Sequence, residues 1–195
     1  CPKLPFIHLR IGRCLFKELL FEKALLHMNV VLRSDPENSE ANFYIGAIAY
    51  YQKDINGALV YLEKSERSLT AGRKRMLSVQ GNIIMADCYQ QIERYQDAVN
   101  CVQRSFRLNP KGSEKVFTIM GKAYAGLGRH AEALAAFKKA LGFNANNYDV
   151  WNEIGRVFFA LGDKTKAVQC FKQSLAFNRG FEKARTNMLT AEADL

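Results

Sequence analysis

Five cysteines, three histidines and two pairs of carboxylates are the side chains of this sequence that could do chemistry. A thiolate can attack, carry electrons or hold a metal, and carboxylates one helical turn apart can share acid and base duties. Cys1, Cys14, Cys88, Cys101 and Cys170 are odd in number and include no C-x-x-C spacing, which reads as reduced thiols in a reducing, cytoplasmic compartment. His8, His27 and His130 are widely separated, and none has a second ligand-type residue at a recognised metal spacing. No metal site and no cofactor is therefore expected. Glu18 with Glu22, and Glu63 with Glu66, sit at helical spacing on faces expected to be solvated. G-x-S-x-G, G-x-x-x-x-G-K-[ST], H-E-x-x-H and a dinucleotide fingerprint are all absent. These residues point to no catalytic site and to a chain that is not an enzyme.

The elements that carry them are helices. The chain has 195 residues, 48% of them hydrophobic, and only 4 prolines, and no segment alternates with the two-residue period of a strand. No apolar run approaches the roughly 20 residues that a membrane-spanning helix needs.

The helices recur. "AEALAAFKKAL" fixes Ala133, Phe137 and Ala140, and "KAVQCFKQSL" repeats the first interval with Ala167 and Phe171. Ala98 with Val102, Ala58 with Leu62 and Ala24 with Met28 extend the series toward the N-terminus. The five alanines are spaced by 34, 40, 35 and 34 residues, a 34-residue frame with one insertion of six residues and one of a single residue. Twelve residues before each alanine stands a small residue, Gly12, Gly46, Ala86, Gly121 or Gly155. Each unit thus reads as a helix with a small contact point, a turn, and a second helix with its own. Leu127-Gly128-Arg129 and Leu161-Gly162-Asp163 are suited to the turns.

This pattern resembles the tetratricopeptide repeat, in which Trp-x-x-Leu-Gly-x-x-Tyr, Ala-x-x-x-Phe and a closing proline recur over 34 residues. The strongest match is 148–181, with Trp151, Ile154, Gly155, Phe158, Ala167 and Phe171, followed by 114–147. Frames 5–38, 39–72 and 79–112 are weaker, although Pro36 and Pro110 fall where the pattern has its proline. The resemblance implies a single domain over residues 1–195: an all-α, right-handed superhelix of five helix-turn-helix repeats closed by a polar capping helix, 182–195. Cys14, Cys88, Cys101 and Cys170 alternate with apolar residues at equivalent places, so they read as small buried hydrophobes.

In the family the first helices line a groove that takes a peptide or a helix. Carried over, that groove is lined by Arg13, Phe16, Lys17, Phe43, Tyr50, Tyr51, Ile83 and Gln90, then by Lys115, Lys122, Asn152 and Arg156. The first group is aromatic and the second leans basic. The expected partner is a protein segment with bulky apolar residues toward the N-terminal repeats and acidic ones toward the C-terminal repeats, so the chain reads as an interaction module or scaffold. Places that grip an acidic chaperone tail in some relatives hold Leu9, Arg13, Tyr44, Gln80 and Ile84, of which only Arg13 suits that role. The net charge of +9 is spread along the chain, with one dense point at Arg73, Lys74 and Arg75 in the six-residue insertion. That insertion reads first as a solvated extension of the preceding helix and second as a contact for an acidic partner. Nucleic acid is not an expected partner, since the aromatics lie away from the basic segments. Any membrane association would be peripheral, through a partner. Two alternatives stand beside this reading: the recruitment domain of a longer enzyme, and a scaffold whose groove accepts another copy's terminal helix.

Overall fold

The computed structural model describes residues 4–70 and 79–193. They form an all-α helical repeat of the solenoid class, with eleven helices and no strand among the described residues. The helices are α1 (Leu4–Lys17), α2 (Phe21–Ser34), α3 (Ser39–Tyr51), α4 (Ile55–Thr70), α5 (Val79–Gln91), α6 (Tyr95–Leu108), α7 (Glu114–Gly126), α8 (His130–Phe143), α9 (Tyr148–Ala160), α10 (Lys164–Phe177) and α11 (Glu182–Ala193). The fold divides into two compact units, Cys1–Ile92 and Glu93–Leu195. The expected frame 79–112 is shared between them, α5 falling in the first and α6 in the second.

Side-chain caps set where several helices begin. Asn38, Ser113, Asn147 and Asp163 each accept a hydrogen bond from the backbone N–H three residues on, satisfying a donor that the first turn leaves open. The turns within hairpins place one residue in the left-handed region. Gly128 (φ 72°) and Gly162 (φ 81°) do so without a side-chain penalty, while Leu19, Lys53 and Glu93 hold the same turn position with φ of 59°, 67° and 59°.

Packing explains the alanine period. Ala24, Ala58, Ala98, Ala133 and Ala167 are fully buried, as are Met28, Leu62, Val102, Phe137 and, nearly so, Phe171. A methyl group placed on Gly121 would come within 2.5 Å of the Phe137 ring, and one on Gly155 within 2.5 Å of Phe171. The glycine therefore lets the two helices of one hairpin close on each other around the aromatic. Gly46 with Leu62 and Gly12 with Met28 make the same contact. The next hairpin is received by other residues: Ala41 and Ile45 of α3 join Met28 and Val31 of α2 in one apolar cluster. At the C-terminal end Ala191 of α11 packs on Ala167, Val168 and Phe171 of α10.

Candidate partner-binding surface

In the first unit α1, α3 and the start of α2 assemble a face of six rings. Phe16 meets Tyr44 edge-on at 5.1 Å and Tyr51 at 6.1 Å, and Tyr51 stacks on Phe21 at 5.6 Å. Phe43 packs on Tyr44 at 5.1 Å and Tyr50 on Tyr51 at 5.6 Å, both edge to face. Tilted and edge-on arrangements are the favoured ones for aromatic quadrupoles. The rings support one another and remain half-buried, and Tyr51 keeps 44% of its surface exposed. The Tyr50 hydroxyl donates to Asp87 of α5, tying α3 to α5. Burial, then that bond, hold the hydroxyl above the ordinary phenol range.

Four residues predicted from sequence for this face, Phe16, Phe43, Tyr50 and Tyr51, are brought together. Phe21 and Tyr44 join them unpredicted. Tyr44 could have been found from its place beside Phe43 on the same helix. Arg13 forms an ion pair with Glu40 at 3.6 Å, and Lys17 is exposed at the end of α1. Ile83 and Gln90 are half-buried on α5, and the buried Oε1 of Gln90 has no hydrogen-bond partner among the described residues.

In the second unit the predicted cations are held by neighbouring carboxylates. Lys122 of α7 meets Asp149 of α9 at 2.6 Å, and Arg156 meets Glu153 at 2.8 Å while exposing 61% of its side chain. An incoming carboxylate would have to displace these partners, and Glu153 is itself buried. Lys115 is exposed at the start of α7. Asn152 departs from expectation. It is only 1% exposed, and its Oδ1 accepts from Asn187 of α11 at 2.9 Å, so the last helix covers it.

The ion pairs follow the repeat. Arg13 to Glu40 and Lys122 to Asp149 each span 27 residues, from the ninth place of one frame to the second place of the next. Opposite charges at that offset were the sequence signal for them.

The remaining candidates sort as follows. Arg73, Lys74 and Arg75 lie outside the described residues. Cys88, Cys101 and Cys170 are buried thiols, but Cys14, predicted to be buried, is exposed. Burial, then the charge of Asp163, push the Cys170 thiol up to about 11. His8 and His27, far apart in sequence, meet with their Nδ1 atoms 2.8 Å apart, because α1 and α2 run antiparallel. Glu18 lies in the turn after α1 and Glu22 in α2, so they do not share a helix face. Glu63 accepts from the Tyr89 hydroxyl at 2.8 Å. Among the described residues no group of three His, Cys, Asp or Glu is placed to hold a metal ion, and no helix is long and apolar enough to cross a membrane.

Residues 120–186 match the tetratricopeptide repeat family profile. A search of curated protein sequences finds no match. Among solved structures the fold resembles YrrB, a tetratricopeptide-repeat protein with an unusual peptide-binding site, with a TM-score of 0.78 and 18% identity over 92% of this chain and 89% of that one. It also resembles MamA, with a TM-score of 0.73 and 23% identity over 94% of this chain and 96% of that one. A third likeness is to TTC0263, a tetratricopeptide-repeat protein of Thermus thermophilus, with a TM-score of 0.62 and 19% identity over 97% and 99% of the two chains.

Proposed function

We propose that this chain, a member of the tetratricopeptide-repeat family, is a non-catalytic interaction module that binds an apolar peptide or helix of another protein on the face of its first helices. The observation that carries this reading is the ring cluster of Phe16, Phe21, Phe43, Tyr44, Tyr50 and Tyr51. Rigid, mutually packed rings make good anchors, because they are already ordered before a partner arrives. The peptide-binding site of YrrB, on a similar fold, lends support by analogy. The frames 5–38, 39–72, 79–112, 114–147 and 148–181, with α11 as a cap, are the units we assign. In the second unit Lys115, Lys122 and Arg156 would favour acidic residues, but only by exchange with Asp149 and Glu153. The buried thiols suit a reducing, cytoplasmic compartment.

Tyr51 and Phe43 are the residues to test, since Tyr50 is bound to Asp87 and its loss would also loosen α3 from α5. Peptides selected from a phage-displayed library against the intact chain should lose about 10-fold or more in affinity on Tyr51→Ala or Phe43→Ala. They should keep it on Leu26→Ala, which alters an exposed leucine of α2. Undiminished binding to both ring variants would sink the proposal.

A further inference from the structure

The hairpin of α7 and α8 bounds a cavity of about 160 Å³. Its floor is apolar: Phe117 and Tyr124 of α7, 8% and 7% exposed, and Ala136 of α8, 4% exposed, with Met120 half-buried beside them. The repeat explains why the space is open in this hairpin. The twenty-third place of the frame holds His27, Tyr61, Cys101 and Cys170 in the other second helices, and the twenty-second holds Leu26, Val60, Asn100 and Gln169. In α8 both places are alanine, Ala135 and Ala136. Two neighbouring side chains are thus cut back to methyl groups beside three large ones on α7. Met120 registers the loss. At the same seventh place Ile45, Met85 and Ile154 are buried, whereas Met120 is only half-buried.

The rim carries Glu132, Ala135 and Lys139, all exposed, and its two charges are unequal. Glu132 is held by Arg129 through two hydrogen bonds, and the Arg129 guanidinium lies 4.6 Å from the centre of the Tyr124 ring. That carboxylate is already neutralised. Lys139, two helical turns further along α8, makes no ion pair among the described residues, and its Nζ lies 5.5 Å from the centre of the Phe117 ring. The net charge offered to a ligand is therefore positive. An apolar cavity of roughly 150 Å³ takes up one benzene-sized ring in preference to water, and aromatic edges and a thioether are favourable neighbours for such a ring. We infer that this cavity binds a small aromatic carboxylate, its ring among Phe117, Met120, Tyr124 and Ala136 and its carboxylate on Lys139.

Phenylacetate tests this on the intact chain, with benzylamine and acetate as comparators in titration calorimetry or ligand-observed NMR. Phenylacetate should bind with a Kd of about 1 mM or tighter, benzylamine at least about 10-fold more weakly, and acetate not detectably. Lys139→Glu, at an exposed position, should weaken phenylacetate about 10-fold and remove its advantage over benzylamine. Ala135→Phe, also exposed, should abolish binding by filling the mouth, without changing the circular dichroism melt. Tyr51→Ala should leave phenylacetate binding unaltered, so the cavity and the ring face of the proposed function are judged apart. No binding of phenylacetate at about 10 mM would overturn the inference. Equal binding of benzylamine would overturn it as well, as would binding that survives both Lys139→Glu and Ala135→Phe.

Discussion

Gly121 and Phe137 divide one volume between them, so neither can be enlarged without moving the other. Gly121→Ala should lower stability by about 2 kcal/mol through overpacking, read as a shift in the denaturant midpoint. Adding Phe137→Leu should return part of that loss, because the two changes act on the same space. Thiol chemistry separates residues of one type in the same way. At pH 8 iodoacetamide should modify Cys14 well before Cys170, whose sulfur is shielded and remains protonated, as peptide mapping by mass spectrometry would show. The sign of the linkage follows from the raised Cys170 value. As pH climbs from the ordinary thiol value of 9.0 towards 11, the unfolded chain gives up a proton that the folded chain retains, so stability is lost across that window.

The hairpin is the element in which sequence and structure agree best, because its determinants are short-range. An alanine, a large apolar residue four places later (aromatic only at Phe137 and Phe171) and a small residue twelve places before the alanine recur in order, and the alanines and large apolar residues are buried. The left-handed turn position was legible only where it held glycine. Leu19, Lys53 and Glu93 meet the same backbone requirement with nothing in their residue types to announce it. Lys53→Gly should therefore stabilise the protein by about 0.5 kcal/mol, the relief of the side-chain clash exceeding the extra freedom of glycine in the unfolded chain. A thermal melt would check it, and a lower midpoint would mean that the Lys53 side chain contributes to the fold. Pairings across elements were harder to foresee. The His8 and His27 contact, the Tyr50 bond to Asp87 and the cover over Asn152 all depend on how one helix lies on another, and single residues leave no period in a sequence.

At the scale of the whole molecule the repeat acts as a rule with boundary conditions. The first helices α3, α5, α7 and α9 bury their third and tenth places. α11 likewise buries Ala184 and Ala191. The legible part of the candidate surface was its aromatic character. The engagement of its cations was written in the sequence but less openly, in the 27-residue offset of Lys122 and Asp149 and the three-residue spacing of Glu153 and Arg156. The rung from the ninth place of one frame to the second place of the next, base to acid at Arg13–Glu40 and Lys122–Asp149, would make the assigned units that carry it directional building blocks. Copies of 148–181 joined end to end would set each Arg156 against the following Asp149, whereas copies of 114–147 would set Lys122 against Lys115. On charge alone, an array of the first kind should therefore have the higher denaturant midpoint of the two.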